Sequence, residues 1–273
     1  MKPLTHFTSW PGTERRVTAD LTFEIHPAIL LIAAPFIGSF LGVLVRRLPT
    51  GETAVWGRSR CDACHAPLTV FDLVPLLSFL ALRGSCRHCG ARIDPFHFRI
   101  EMAALAIAVW AVAVDGSAAG PDCVLGWALL ALAWIDAEHM ILPDALTLPL
   151  LLLGLGFGWL EAPDLLADRL VGAAVGWLSF AGIAAAYRRL RGRDGLGGGD
   201  ARLLGAGGAW LGWEALPSVV LFAAVSALLG IGLRTLWLRG KPEAGNVLTE
   251  PQPFGPWLAL GIWVVRLHGP ILG

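Results

Sequence analysis

Uncharged stretches of nearly twenty residues alternate with short polar connections along this chain, and that pattern sets its solvent before anything else. The first, Pro27–Val45, runs nineteen residues without a charge, enough to cross a hydrocarbon core of about 30 Å. Further apolar runs cover residues 98–114, 121–138, 145–161, 168–187, 202–216, 217–236 and 256–268. Their lengths suit helices, so the chain is predicted to be an all-α integral membrane protein with about eight transmembrane helices. Glu214 and Pro217 mark a tight outer hairpin, because a single helix from Leu203 to Leu233 would be too long. The last run is short and carries Arg266 near its end. Composition agrees: 55% of the 273 residues are hydrophobic and 15% charged, against about 25% charged in a soluble domain. A formal net charge of zero gives no electrostatic case for nucleic acid. The bilayer is the expected partner.

Residues 1–26 form a polar tail, and residues 27–45 read as a retained first transmembrane helix. A cleaved signal would carry its basic residues before the apolar run and a small-residue cleavage site after it; here the arginines, Arg46 and Arg47, follow. Basic charge then orients the bundle. Arg46, Arg47, Arg58, Arg60, Arg83, Arg87, Arg92 and Arg99 fall in or beside one connection, and Arg188, Arg189, Arg191, Arg193 and Arg202 in or beside another. The connections at 115–122 and 161–167 have neither Lys nor Arg. Excess Lys and Arg mark the cytoplasmic face, which places both basic loops inside. The tail, with Lys2, Arg15 and Arg16, is then outside.

The first basic loop, residues 46–97, holds Cys61-x-x-Cys64 and Cys86-x-x-Cys89. Two close thiol pairs about twenty residues apart suit a tetrahedral metal, each pair gripping one edge. Two disulfides or free core thiols are the alternatives. The cytoplasm keeps thiols reduced, which favours a structural zinc ion. Cys123 has no partner in sequence and reads as a packing residue.

Ionisable groups at membrane depth are costly and need a reason. Asp136 ends the apolar run Cys123–Ile135, and Asp200 ends the glycine-rich stretch Gly195–Gly199. Both fall at cytoplasmic helix ends and can meet there. Two carboxylates within reach share one proton and can act as base and acid on a single water. Gly197 and Gly199 would let an extended substrate backbone pass close to Asp200. Each aspartate, taken alone, also fits a solvated cap or topological anchor. Asp144 after Pro143 reads as the N-cap of the fourth helix, and Glu101 as an acid placed near the positive end of the second helix dipole. His97 and His139 read as interfacial polar residues.

Several segments together resemble the type IV prepilin peptidases, a family of membrane aspartic proteases of the Gly-x-Gly-Asp type. They are Gly38-Ser39-Phe40-Leu41 with Arg47-Leu48-Pro49, the paired cysteines, Pro75-Leu76-Leu77-Ser78, Glu101, Asp136 with Leu142-Pro143-Asp144, and Gly197-Gly198-Gly199-Asp200. The resemblance implies a zinc-binding cytoplasmic loop followed by a transmembrane peptidase domain over residues 98–273. It implies cleavage of the short basic leader of prepilins and pseudopilins at the cytoplasmic face of the inner membrane. It also implies that Asp136 and Asp200 are catalytic, with Gly197, Gly199, Asp144 and Glu101 supporting the site. Cys61, Cys64, Cys86 and Cys89 would be metal ligands.

Many family members also methylate the new N-terminus with S-adenosylmethionine. The chain departs from the family pattern with Gly42 for Asn, Asp62 for Pro, Asp72 for Asn, no Arg-Tyr-Pro before Glu101, and Arg202 for Lys. Most of these changes lie in the loop linked to methyl transfer, so a protease-only member is an alternative. A proton-coupled transporter and a non-enzymatic membrane scaffold are rivals of other classes.

Overall fold

The computed structural model describes residues 25–51, 60–192, 195, 197–239 and 251–272. Most of the polar tail and residues 52–59 of the cysteine loop lie outside them. Among the described residues there are eight helices of fourteen residues or more: α1 (Pro27–Arg47), α2 (Phe96–Asp115), α3 (Gly120–His139), α4 (Asp144–Glu161), α5 (Leu166–Arg191), α6 (Gly198–Leu211), α7 (Leu216–Trp237) and α8 (Gly255–His268). The regular structure is helical, apart from two isolated bridges in the cysteine loop.

Six of the eight, α1 to α5 and α7, are long and apolar enough to cross a membrane. This is a multi-pass membrane protein. Helices α6 and α8 have fourteen residues each, a rise of about 21 Å against a core of about 30 Å. They sit inside the bundle, where short helices do not expose backbone ends to lipid. Ten residues of α6 are buried, from Asp200 to Trp210. Helix α8 packs against α3, α6 and α7, and α6 packs against α4 and α5. The surrounding helices turn Ile32, Phe36, Leu152, Leu178 and Leu228 outward, as lipid-facing surfaces do.

Boundaries depart from the sequence reading where glycine or a packing contact decides. Helix α6 starts at Gly198, not at 202, because Gly197 is extended (ψ 139°) and hands over directly to helix. It stops at Leu211 because Gly212 takes a left-handed φ of +85°, a conformation natural to glycine. Glu214 then lies exposed in the short turn before α7, as expected. Asp144 is the first residue of α4 and Pro143 is its cap. An N-cap acid bonds the amides of its own helix; the Asp144 carboxylate instead pairs with Arg202 on α6. Glu101 lies in the second turn of α2 and is buried. Its Oε2 accepts the Leu76 N–H at 2.8 Å, so it holds the cysteine loop rather than meeting the end of its own helix.

The contact between α5 and α6 is made backbone to backbone. A Cβ at Gly208 would lie 2.1 Å from the Gly172 carbonyl oxygen, and one at Gly176 would lie 2.6 Å from the Leu204 carbonyl oxygen. Small residues of this kind permit close approach of membrane helices. Cys123 is fully buried on α3, consistent with the packing role expected of it.

Candidate active site

The two predicted aspartates come from different halves of the bundle. Asp136 lies in the last turn of α3, and Asp200 in the first turn of α6. The chain leaves α3 sharply because Met140 adopts a left-handed conformation (φ 56°) as its cap. The stretch Ile141–Pro143 then runs back to α4. Gly199 makes room for it: a Cβ there would lie 2.8 Å from Leu142 Cβ. Glycine at 199 therefore lets α6 approach this connection. Gly197, exposed beside Asp200, keeps the approach to that carboxylate open.

Both carboxylates are largely buried, 6% and 8% exposed. They line one cavity of about 570 Å³, together with Asp144, Arg202, Gly197 to Gly199 and the segment Pro251–Phe254. Arg202 also donates from Nε to the Gly198 carbonyl at 3.2 Å. Through this bond and its pairing with Asp144, it ties α4 to the entrance of α6. Glu101 does not line this cavity. His97 and His139 are exposed.

The cavity opens at the basic end of the bundle, beside the cysteine loop. Phe96, at the start of α2, packs edge-on against Trp134 near the end of α3, with centroids 5.4 Å apart. The Arg46 guanidinium stacks 4.2 Å over the Phe96 ring and bonds Asp94 at 2.7 Å. The Asp72 carboxyl is held below the usual range by hydrogen bonds from the Thr69 hydroxyl and amide and by the Arg87 guanidinium. Two of the loop's acids are thus engaged by its own cations.

The cysteines converge as two matched knuckles. Cys61 N–H bonds the Ala66 carbonyl and Cys86 N–H bonds the Ala91 carbonyl, at 3.0 and 2.8 Å. His65 and Gly90 turn each tip with positive φ. All four sulfurs lie within 4.8 Å of one another, and Cys61 and Cys89 are 3.9 Å apart. A tetrahedral ion with Zn–S bonds of about 2.3 Å requires sulfur pairs about 3.8 Å apart, so this donor set fits a metal ion. Amides of Cys64 and Ala63 draw the Cys61 thiol down to about 7. Those of Cys89 and His88 lower Cys86 in the same way. One thiol of each knuckle is thus drawn toward thiolate, the form that ligates, while hydrogen bonding with the neighbouring thiols, Cys64 first, and burial push Cys89 up to about 11.

Three features were not read from the sequence. One is the segment Pro251–Phe254 on the cavity wall, whose two prolines, with Pro256 just beyond them, signal a stiff entry to α8. Another is the Asp144–Arg202 pair. The third is a buried pair at the other end of the bundle, Arg266 Nε to Asp122 Oδ1 at 2.6 Å.

A helical membrane bundle with two aspartates sharing a cavity at its basic end has the constitution of a membrane aspartic peptidase. Comparison with known proteins agrees. Residues 32–114 match the family model "Bacterial Peptidase A24 N-terminal domain", and residues 123–232 match "Type IV leader peptidase family". The chain is 38% identical over 269 residues to the prepilin leader peptidase/N-methyltransferase of Aeromonas hydrophila, covering 89% of this chain and 90% of that one. It is 39% identical over 270 residues to the protein of that name from Burkholderia pseudomallei (strain 1026b), with 89% and 85% covered. The Pseudomonas aeruginosa protein of that name is 36% identical over 262 residues, with 85% and 87% covered. No solved structure matches. The chain belongs to the type IV leader peptidase family.

Proposed function

We propose that this protein is a membrane aspartic endopeptidase that removes the short basic leader of type IV prepilins and pseudopilins. The carrying observation is that Asp136 and Asp200, sixty-four positions apart in sequence, line one cavity at the basic end of a family member. Excess arginine supports a cytoplasmic position for that end, in a bacterial inner membrane. The substrate is a single-helix membrane protein whose apolar segment packs against the bundle and whose leader junction enters the cavity. One aspartate takes a proton from water as it attacks the scissile carbonyl, and the other gives a proton to the leaving nitrogen. Exposed Gly197 leaves room for the extended peptide. Asp144 and Arg202 hold α4 against the entrance of α6.

Zinc on Cys61, Cys64, Cys86 and Cys89 would close the loop structurally, since four thiolates leave no open coordination position. Replacing Cys64 or Cys86 with serine is expected to abolish zinc retention during purification, measured by metal analysis of the detergent-solubilised protein. Full zinc content in either variant would remove these ligands from the assignment.

The relatives' names carry a second activity, so the reading includes transfer of a methyl group from S-adenosylmethionine to the new N-terminal amine. Co-expression with a prepilin tests both parts. The product is expected to lose its leader and to gain one methyl group at the new N-terminus, read by intact mass. Cleavage without the methyl group would favour a protease-only member. No cleavage across several prepilins would favour a scaffold.

A further inference from the structure

The family regions matched in this chain end at residue 232, yet α8, beyond them, reaches into the dyad. Gly255 is the first residue of that helix. Its amide is one of the N-terminal groups that no carbonyl within the helix can accept from. It donates instead to Asp136 Oδ2 at 2.9 Å. A Cβ at position 255 would stand 2.6 Å from the same oxygen and 2.9 Å from Asp136 Cγ. The bond therefore forms at this length because residue 255 has no side chain.

The placement of α8 is fixed from both sides. Pro256 preorganises its first turn, and Phe254 packs against Phe180 of α5 with ring centroids 6.3 Å apart. At the other end, Arg266 bonds Asp122, on the same α3 that carries Asp136, and both side chains are 3% exposed. Helices α3 and α8 are thus joined near both ends, one join being at the reacting carboxylate.

We propose that Gly255 is a positioning residue for the cleavage reaction: its bare amide, held at the start of α8, fixes the rotation of the Asp136 carboxylate and leaves Oδ1 for water and Asp200. The proposal rests on the dyad reading above. It makes the C-terminal helix a working part of the active site.

The test compares Gly255→Ala with Gly261→Ala, in full-length protein, against a prepilin substrate. Gly261 lies on the same helix, and a Cβ there would stand 2.6 Å from the Val219 carbonyl oxygen. It is a packing lesion remote from Asp136. Gly255→Ala is expected to lower kcat about 100-fold, the cost of a misplaced reacting group, with KM unchanged. Gly261→Ala should lower thermal stability and leave kcat near the unmodified value. Unchanged kcat in Gly255→Ala, or equal kcat losses in both variants, overturns the proposal.

A second measurement needs no change at position 255. Phe-Gly pairs occur only at 157–158 and 254–255. Labelling Phe carbonyl with ¹³C and Gly amide with ¹⁵N therefore isolates two amides by NMR. In Asp136→Asn the Gly255 proton is expected to move upfield, because its acceptor loses charge, while Gly158 stays in place. An unmoved Gly255 signal overturns the proposal. Full cleavage by Asp136→Asn would overturn the dyad and this proposal together. Cleavage lost in Asp136→Asn but retained in Gly255→Ala overturns this proposal alone.

Discussion

Asp136→Asn and Asp200→Asn are each expected to lose leader cleavage by about 10³-fold or more, the scale of positioned acid–base catalysis. Asparagine keeps the shape of the carboxylate and its capacity to accept a hydrogen bond. It cannot take up or deliver the proton that the reaction moves. The loss should therefore appear in kcat, with the protein still inserted in the membrane. Neither aspartate should compensate for the other, since one water must meet a base and an acid in the same cavity. The double variant is expected to be no worse than either single one, because groups acting as a unit are strongly non-additive. The measurement is the size shift of a co-expressed prepilin, with rates taken in detergent. A single variant cleaving at the normal rate removes that residue from the mechanism.

The largest expected effect on stability lies far from the dyad. Arg266→Met should cost about 3–5 kcal/mol, the usual consequence of taking one partner from a buried ion pair. Asp122 and Arg266 are both almost wholly enclosed. The guanidinium also stands 5.6 Å over the Trp210 ring. Its loss therefore removes a ring contact as well as leaving Asp122 without this partner. Adding Asp122→Asn to Arg266→Met should recover part of the loss, because the second change withdraws the charge that the first stranded. Thermal unfolding in detergent reads both. Equal midpoints for Arg266→Met and the double variant would show that the pair carries no coupling.

Features that repeat locally were legible in the sequence. The run Pro27–Val45 announces α1 because nineteen uncharged residues leave few other solutions, and the Cys-x-x-Cys spacing announces the knuckles because each pair forms within one turn. The meeting of Asp136 and Asp200 was legible through charge, since arginine placed both at one end of the bundle. What escaped depends on which helices touch. Arg266 read as the mark of a helix end, whereas it crosses 144 positions to find Asp122. Gly255 was one of 33 glycines until Asp136 stood against it. Asp144 looked like a cap by its place after Pro143, and only the neighbouring α6 supplied the arginine it pairs with. Glu101 read as an acid facing its own helix dipole, while its acceptor role toward Leu76 depends on how the loop folds back.

The glycine seam between α5 and α6 bears on how firmly Asp200 is held. Where carbonyl and Cα meet with no side chains between them, there are no rotamers to readjust. Sliding by one position would drive a Cβ into a backbone oxygen. These two helices therefore form one slab, which presents Asp200 to the cavity from a rigid wall rather than from a single hinged helix.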